Sequence, residues 1–309
     1  MTACRARRRR CSNLDTLHLD IMTTSSARSV GLSFEFFPPR TPEGVARLAV
    51  TRRKLAELAP EFFSVTFGAG GTTRDLTLET VLELRDDTEV DSAPHLSCIG
   101  FALTDIRAVL MRYREAGIKR LVALRGDMPS GTSGFGELRH ANELVEFIRA
   151  ETGAHFHIEV AAYPEVHPQA TGALVDLDNF QRKVAAGANG AITQYFYNSD
   201  GYFRFVDEAR KRGIDIPIVP GIMPITNFSN LRRFSEMCGA ELPRWMVKHL
   251  QDLGDDHGAI AAFGVEVVTK LCERLLAGGA PGLHFYTMNQ HEAASAICGH
   301  LAIRGRGRA

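Results

Sequence analysis

The sequence predicts an α/β protein whose single domain folds as a (β/α)8 TIM barrel. Eight short apolar runs alternate along the chain with segments of helical periodicity, the order typical of parallel strands joined by crossover helices. The chain has 309 residues, a usual length for such a barrel. A doubly wound open sheet is the alternative. It is disfavoured because no run is followed by a GxGxxG or GxxxxGK(S/T) loop.

Each predicted strand is an apolar run bounded by turn residues, and eight strands are enough to close a barrel packed by its own side chains. The runs are 32–37, 62–67, 94–99, 120–125, 157–163, 190–196, 216–222 and 282–288. Apolar residues spaced by three and four predict the intervening helices, as in 42–58, 103–117 and 200–213. The longest connection precedes the last strand and has room for two or three helices.

The two ends of the chain differ from the predicted barrel, which spans 25–304. Residues 1–24 are expected to form a disordered extension, since five arginines crowd between positions 5 and 10. Met22 is an alternative initiator. No apolar stretch follows the arginines, which disfavours a twin-arginine export signal, whereas an organelle transit peptide stays open. Residues 305–309 are expected to fray.

The composition excludes several classes of protein. Lys+Arg and Asp+Glu number 36 each, so no overall charge attracts nucleic acid or an anionic membrane. No apolar window approaches the roughly 18 residues of a membrane span. The six cysteines form no CxxC pair, which favours reduced thiols over a disulfide framework. We therefore expect a soluble cytoplasmic protein, and no metal site is predicted.

Polar side chains occur at or near the carboxyl ends of seven of the eight predicted strands, where barrel enzymes place their chemistry. Each has a structural explanation when taken alone. His95 suits a hydrogen-bonded core histidine, and Arg125 with Asp127 suits an ion pair that fixes a loop. Together they predict a functional site. The residues are Glu35, Thr66, His95, Arg125, Asp127, Tyr163, Glu165, His167, Gln194, Tyr286, Asn289 and Gln290.

Glu35 is the most unusual of these residues, because it interrupts the apolar run LSFEFFPPR. Burying an ionised carboxylate without a partner costs several kcal/mol. The carboxyl group is therefore paired with a cation, neutral, or retained for a function. A lysine or arginine partner inside the barrel is the structural alternative.

The segment VDLDNFQRKVAAGAN after the fifth strand predicts a helix with one polar stripe. Asp176, Asn179 and Lys183 fall on the same face, with Arg182 beside them. A carboxylate and an amide suit ribose hydroxyls, and adjacent cations suit phosphate. The stripe is therefore a candidate nucleotide site, although spacing alone favours a solvated helix face.

Eight strings of this sequence resemble the bacterial single-domain type of methylenetetrahydrofolate reductase. They are FEFFPPRT, SVTFGA, APHLSC, ALRGDMP, AAYPEVHP, KVAAGANGAITQYFY, PGIMPITNF and HFYTMN, in order between residue 31 and about residue 300. The resemblance implies a (β/α)8 barrel that binds FAD non-covalently. It also implies hydride transfer from NADH or NADPH through FAD, which yields 5-methyltetrahydrofolate for methionine synthesis. A homo-oligomer is a further implication.

The resemblance also implies roles for individual residues. Glu35 takes the position of the general acid, whose pKa we expect the apolar surroundings to raise. Asp127 takes that of an aspartate near the flavin pyrimidine ring, where its charge favours a cationic folate intermediate. The flavin-site positions are Thr66, His95, Arg125, Gly126, Asp127, Ala141, Tyr163, His167, Ala170, Asp176, Asn179, Arg182 and Lys183. The substrate-site positions are Gln194, Asn230, Phe234, Tyr286 and Gln290.

The sequence departs from the family pattern at two substrate positions. Gln290 stands where the family usually has arginine, and Asn230 stands where it has glutamine. We expect the lost charge at position 290 to weaken folate binding by about 1–2 kcal/mol. The S-adenosylmethionine-binding domain of the eukaryotic type is expected to be absent.

Two other functions remain as alternatives. One is a barrel lyase or aldolase that uses Lys183 as a Schiff-base amine, although such a lysine is expected at a strand end. The other is a flavin or folate binder that lost turnover through the change at Gln290. The presence of Glu35, Asp127 and Gln194 argues against this second alternative.

Overall fold

A computed structural model describes residues 27–68, 74–127 and 136–307. The predicted extension 1–24 lies outside them. The described strands are β1 (Arg28–Phe36), β2 (Phe62–Val65), β3 (Asp91–Ser97), β4 (Arg120–Leu124), β5 (His157–Ala162), β6 (Gly190–Thr193), β7 (Ile218–Val219), β8 (Gly221–Ile222), β9 (Gly282–Tyr286) and β10 (Ile303–Gly305).

Helices alternate with these strands as predicted. They are α1 (Pro42–Ala56), α2 (Arg74–Thr88), α3 (Leu103–Glu115), α4 (Ala141–Thr152), α5 (Ala173–Ala185), α6 (Ser199–Lys211), α7 (Phe228–Cys238), α8 (Arg244–Asp252), α9 (His257–Ala277) and α10 (Glu292–His300). The long connection before β9 contains three of them, α7 to α9. Three helices agree with the predicted two or three.

The strands form a parallel sheet in the order β7-β6-β5-β4-β3-β2-β1-β9-β8. The predicted strand 216–222 is divided at Pro220, which has no N–H to donate to a ladder. Its first half, β7, pairs with β6, and its second half, β8, pairs with β9. One interrupted segment thus joins both ends of the sheet, and the predicted single-domain α/β barrel is confirmed.

β10 lies outside this ring and pairs in parallel with Arg28–Val30 at the start of β1. Gly305, predicted to begin a frayed tail, instead belongs to this strand. Its N–H donates to the carbonyl of Leu58 at 2.8 Å. That backbone hydrogen bond and the strand pairing hold the residue against the barrel. Residues 308–309 lie outside the described part of the chain.

Side chains that alternate along the strands fill two separate layers. Phe34, Phe63 and Phe285 are fully buried and pack together in the outer layer, which the helices cover. Inside the barrel, Phe62 and Val122 belong to a smaller apolar cluster. The interior is therefore filled with side chains below the carboxyl ends of the strands.

The opposite, amino-terminal part of the barrel contains a buried ionic cluster that sequence reasoning did not single out. Oε1 of Glu159 lies 2.5 Å from Nη1 of Arg120 and 3.0 Å from Nε2 of His157. The guanidinium of Arg120 also lies over the ring of Phe62, 4.4 Å from its centroid. Burial opposes ionisation of Glu159, but His157 and Arg120 together lower its pKa.

Four cysteines, Cys98, Cys238, Cys272 and Cys298, are free thiols. No helix among the described residues is long and apolar enough to cross a membrane. Nor does any group of three or more His, Cys, Asp or Glu side chains in that part of the chain have the arrangement of a metal site.

Candidate active site

A cavity of about 490 Å³, which we call the central cavity, opens at the carboxyl ends of the barrel strands. Several predicted site residues lie in loops just past the strand ends, since β2, β4 and β6 end earlier than their apolar runs. The central cavity brings together ten of the predicted residues: Glu35, Thr66, His95, Gly126, Asp127, Tyr163, His167, Gln194, Phe234 and Tyr286.

A second cavity of about 360 Å³, the side cavity, adjoins the first. The two share Gly126, Asp127, Tyr163 and His167 among their walls. The side cavity adds seven residues that the resemblance assigns to the flavin: Arg125, Ala141, Ala170, Asp176, Asn179, Arg182 and Lys183. The predicted helix stripe therefore faces a cavity and not only solvent.

Two predicted substrate residues do not line either cavity. Asn230 is exposed in the first turn of α7, and Gln290 is exposed after the loop that follows β9. Two polar residues of the predicted rim have structural contacts. Glu165 accepts a hydrogen bond from the N–H of Glu241 at 2.8 Å, and Asn289 is buried.

Glu35 forms the floor of the central cavity and faces two histidines. Its Oε2 lies 3.3 Å from Nε2 of His95 on β3 and 3.5 Å from Nε2 of His284 on β9. The carboxylate side chain is 17% exposed, and His284 is fully buried. The structural alternative of a lysine or arginine partner is therefore wrong, because imidazoles occupy that place.

Sequence reasoning missed His284, although it lies in the quoted string HFYTMN. Its Nδ1 is 2.7 Å from Oγ of Ser33, two residues before Glu35 on β1. A signal existed in the strand alternation. His284 is two residues from Tyr286, so both side chains project from the same face of β9. The barrel interior thus holds a Ser33–His284–Glu35–His95 chain of polar contacts.

The expected direction of the Glu35 pKa is wrong. Burial alone would raise it, as predicted, but the neighbouring imidazoles of His95 and His284 together outweigh burial. They lower the pKa from 4.5 to about 2. Phe34 and Phe36 project into the outer layer, away from the carboxylate, and Phe37 is exposed. The free protein therefore holds Glu35 as an anion at neutral pH.

Gly126 lets the loop after β4 approach β3 closely. Its φ is +85°, and a Cβ there would lie 2.3 Å from Oγ of Ser97. Only glycine combines that backbone conformation with the available space. The turn presents Asp127, which is exposed at the junction of the central and side cavities.

α5 is fixed to β5 and to the loop after it by residues of its polar stripe. Asp176 accepts a hydrogen bond from the N–H of His167 at 2.9 Å, and Nζ of Lys183 donates to the carbonyl of Ala161 at 2.5 Å. Burial lowers the pKa of Lys183 to about 8, although the charge of Asp176 opposes that shift. Arg182 donates to the side chain of Asn179 at 3.1 Å.

Aromatic residues form much of the remaining wall. Tyr163 meets His167 edge to face, with 4.6 Å between ring centroids. Burial, and then the charges of Asp127 and Asp176, raise the pKa of Tyr163 to about 12. The hydroxyl of Tyr286 donates to the carbonyl of Thr193 at 2.8 Å. These rings combine flat apolar surface with hydrogen-bonding edges, which suits a planar heterocyclic ligand.

Comparison with known proteins identifies the family of the chain. A family model described as methylenetetrahydrofolate reductase matches residues 21–302. The 5,10-methylenetetrahydrofolate reductase of Escherichia coli (strain K12) is 42% identical over 275 residues, which are 89% of this chain and 92% of that protein. Methylenetetrahydrofolate reductase (NADH) 1 of Arabidopsis thaliana is 37% identical over 296 residues, 92% of this chain and 50% of that protein.

A solved structure supports the fold. It is described as an uncharacterized protein from Clostridium thermocellum that binds two copies of 5-methyl-5,6,7,8-tetrahydrofolic acid. It matches with a TM-score of 0.62 at 16% identity, over 89% of this chain and 94% of that one. The sequence matches extend over the barrel and the residues of both cavities, and on that basis the chain belongs to the methylenetetrahydrofolate reductase family of enzymes.

Proposed function

We propose that this protein reduces 5,10-methylenetetrahydrofolate to 5-methyltetrahydrofolate, with FAD as the bound cofactor and NADH or NADPH as the electron donor. The two substrates use the central cavity in turn, in a ping-pong sequence. One observation carries the proposal: a buried carboxylate forms the floor of a cavity that continues into a second cavity with three cationic side chains.

The residues of the two cavities fit FAD. Arg125, Arg182 and Lys183 line the side cavity and suit a pyrophosphate. The close approach at Gly126 leaves backbone surface at the junction of the cavities, beside Asp127. When bound, FAD supplies a two-electron carrier that takes hydride from nicotinamide and passes it to folate. The protein positions the reactants around that carrier and supplies the proton for the departing folate nitrogen.

The folate is proposed to lie in the central cavity against Gln194, Phe234 and Tyr286. The amide of Gln194 offers hydrogen bonds to a pterin edge, although its Oε1 already accepts from the N–H of Tyr195 at 3.1 Å. The rings of Phe234 and Tyr286 provide apolar contact. A planar ring held there covers Glu35 and excludes water from its carboxylate.

Proton delivery is proposed to involve Glu35 together with its two histidines. In this proposal one of the two imidazoles holds the proton beside the carboxylate, since their Nε2 atoms lie 3.3 and 3.5 Å from Oε2 of Glu35. Transfer of that proton to Oε2 converts an ion pair into two neutral groups, which desolvation by a bound ring favours. Glu35 then protonates the departing folate nitrogen, and the methylene carbon becomes an iminium that accepts hydride.

The lyase alternative is less well supported. Lys183 lies on α5 and not at a strand end, and its amine donates to the Ala161 carbonyl. Its lowered pKa of about 8 leaves the amine partly neutral at neutral pH, but a Schiff base would break that hydrogen bond. The resemblance further supports a cytoplasmic homo-oligomer whose product serves methionine synthesis, and these points are part of the proposal.

The proposal is tested by anaerobic stopped-flow spectroscopy of the purified protein. Flavin absorbance at about 450 nm should bleach with NADH or NADPH and return with methylenetetrahydrofolate, since the cofactor carries the electrons. Bleaching without return would support the flavin-binding alternative that lacks folate turnover. A colourless protein that FAD does not reconstitute would overturn the proposal.

A further inference from the structure

A third cavity of about 470 Å³, the mouth cavity, lies beside the central cavity at the start of α1. Its walls come from the loop after β1, the first turns of α1 and the loop after β9. Thr66, Gly68 and Met288 line both this cavity and the central one. A ligand whose ring occupies the central cavity can therefore extend into the mouth cavity. Its remaining walls are Phe37, Pro38, Pro39, Arg40, Thr41, Gly44, Arg47 and Asn289.

Hydrogen bonds from Asn289 hold these walls together. The N–H of Phe37 donates to Oδ1 of Asn289 at 3.0 Å, and Nδ2 of Asn289 donates to the carbonyl of Phe37 at 2.9 Å. The hydroxyl of Thr51 on α1 donates to the Asn289 carbonyl at 3.2 Å. One buried side chain thus joins the loops after β1 and β9, so the cavity is formed before any ligand arrives.

The charged side chains among the described residues that line the mouth cavity are all positive. Arg40 and Arg47 line it, and none of its described lining residues is acidic. Neither arginine has a carboxylate within ion-pair distance in the described part of the chain. Arg52 and Arg53, farther along α1, instead share Asp87. Two unpaired guanidinium groups at one cavity favour an anionic ligand, and their planar donors suit carboxylates.

We propose that the mouth cavity binds the glutamyl carboxylates of folate through Arg40 and Arg47. This inference rests on the proposed function, which puts the pterin in the central cavity. The apolar wall of Phe37, Pro38 and Pro39 suits the benzoyl ring that links pterin to glutamate. Gln290, next to Asn289 along the chain, supplies no charge.

The test compares two ligands on the FAD-loaded protein. Their dissociation constants are measured by isothermal titration calorimetry for 5-methyltetrahydrofolate and for a pteroate analogue, the primary amide of 5-methyltetrahydropteroate, which lacks both the glutamate and a free carboxylate. We expect Arg40→Gln and Arg47→Gln each to weaken binding of the folate about 3- to 10-fold, the range for partly exposed charge-assisted contacts. Binding of the pteroate analogue should stay unchanged, and Arg47→Lys should restore part of the folate affinity.

Arg204→Gln is the matched control. Arg204 is the sixth residue of α6, as Arg47 is of α1, and it is likewise exposed with no ion pair in the described chain. It lines none of the three cavities. This variant should bind both ligands as the wild type does. Thermal unfolding midpoints of all variants identify any loss that comes from misfolding.

Three outcomes would overturn the inference while leaving the proposed function intact. Equal loss for folate and the pteroate analogue, or no loss for either, would show that the arginines do not contact the glutamate. A rise in KM for NADH or NADPH alone would assign the mouth cavity to dinucleotide phosphates. A wild-type protein that neither binds nor reduces folate would instead overturn the proposed function itself.

Discussion

Oε2 of Glu35 lies 3.3 Å from Nε2 of His95, so the carboxylate on β1 faces an imidazole on β3 at ion-pair distance. The second imidazole, His284, approaches the same oxygen at 3.5 Å. Burial opposes ionisation of this carboxylate, but the two imidazoles together lower its pKa to about 2. The proton transfer that we propose for Glu35 therefore involves side chains from three strands, β1, β3 and β9.

Glu35→Gln should abolish most of the folate half-reaction and spare the nicotinamide half-reaction. The amide keeps the shape of the side chain but has no proton to deliver, and loss of a general acid costs about 10²- to 10⁴-fold. Single-turnover stopped-flow measures both halves separately. An equal loss in both halves would indicate a disturbed flavin site, and retention of FAD in the variant checks that point.

Acid unfolding should reveal the lowered pKa of Glu35. The folded state binds this proton less tightly than the unfolded state, so the stabilisation is present above about pH 4.5 and lost as the pH falls towards 2. A shift of this size corresponds to about 3 kcal/mol. Urea denaturation between pH 5 and about pH 2 should therefore show a shallower loss of stability in Glu35→Gln than in the wild type. Glu236→Gln, at an exposed ion pair with Arg232, should retain the wild-type dependence.

Gly126→Ala should reduce the FAD content of the purified protein. The new Cβ would lie 2.3 Å from Oγ of Ser97 in a left-handed backbone conformation, so the loop between the two cavities must move. Gly213→Ala is the control, since its φ is +75° but nothing lies within 4 Å of the added carbon. The ratio of flavin to protein absorbance measures the effect. Equal flavin loss in both variants would assign it to backbone strain alone.

Glu159→Ala should destabilise the barrel without changing the site. Removal of this carboxylate leaves Arg120 without its buried partner, and such a loss costs about 3–5 kcal/mol. The midpoint of urea denaturation measures the loss. Glu208→Ala removes an exposed pair with Lys211 and should shift that midpoint much less. Similar shifts in the two variants would mean that the Glu159 cluster contributes little to stability.

The sequence predicted the barrel because its signals are local. Each apolar run predicts one strand and each helical spacing predicts one helix. Eight strands that alternate with helices can assemble in few ways. The division of the predicted strand 216–222 at Pro220 has no equally clear signal in the sequence. Pro220 removes one backbone hydrogen-bond donor. Which strands the two halves of the segment pair with depends on the positions of β6 and β9. The polar stripe on α5 was found by spacing, and only the fold shows that it faces a cavity.

The errors arose where distant segments meet. The pKa of Glu35 was inferred from its sequence neighbours, whereas His95 and His284, on other strands, determine it. Asn289 was interpreted as a rim residue of a site; it lines the mouth cavity, and its two side-chain hydrogen bonds to Phe37 also join the loops after β1 and β9. Arg40, in the loop after β1, and Arg47, on α1, carry no local signal that distinguishes them from other exposed arginines. Their shared cavity appears only after the chain has folded.

The interruption at Pro220 leaves the barrel with fewer paired residues at β7 and β8 than between β1 and β9. β7 and β8 each contribute only two paired residues, whereas β1 pairs with β9 over five. The amides of Ala191 and His284 donate to carbonyls of this segment, at Pro217 and Pro220. In native-state hydrogen exchange these two amides should exchange with deuterium before those of β1. We therefore expect local opening of the barrel to begin at β7 and β8, next to Met223 in the wall of the central cavity.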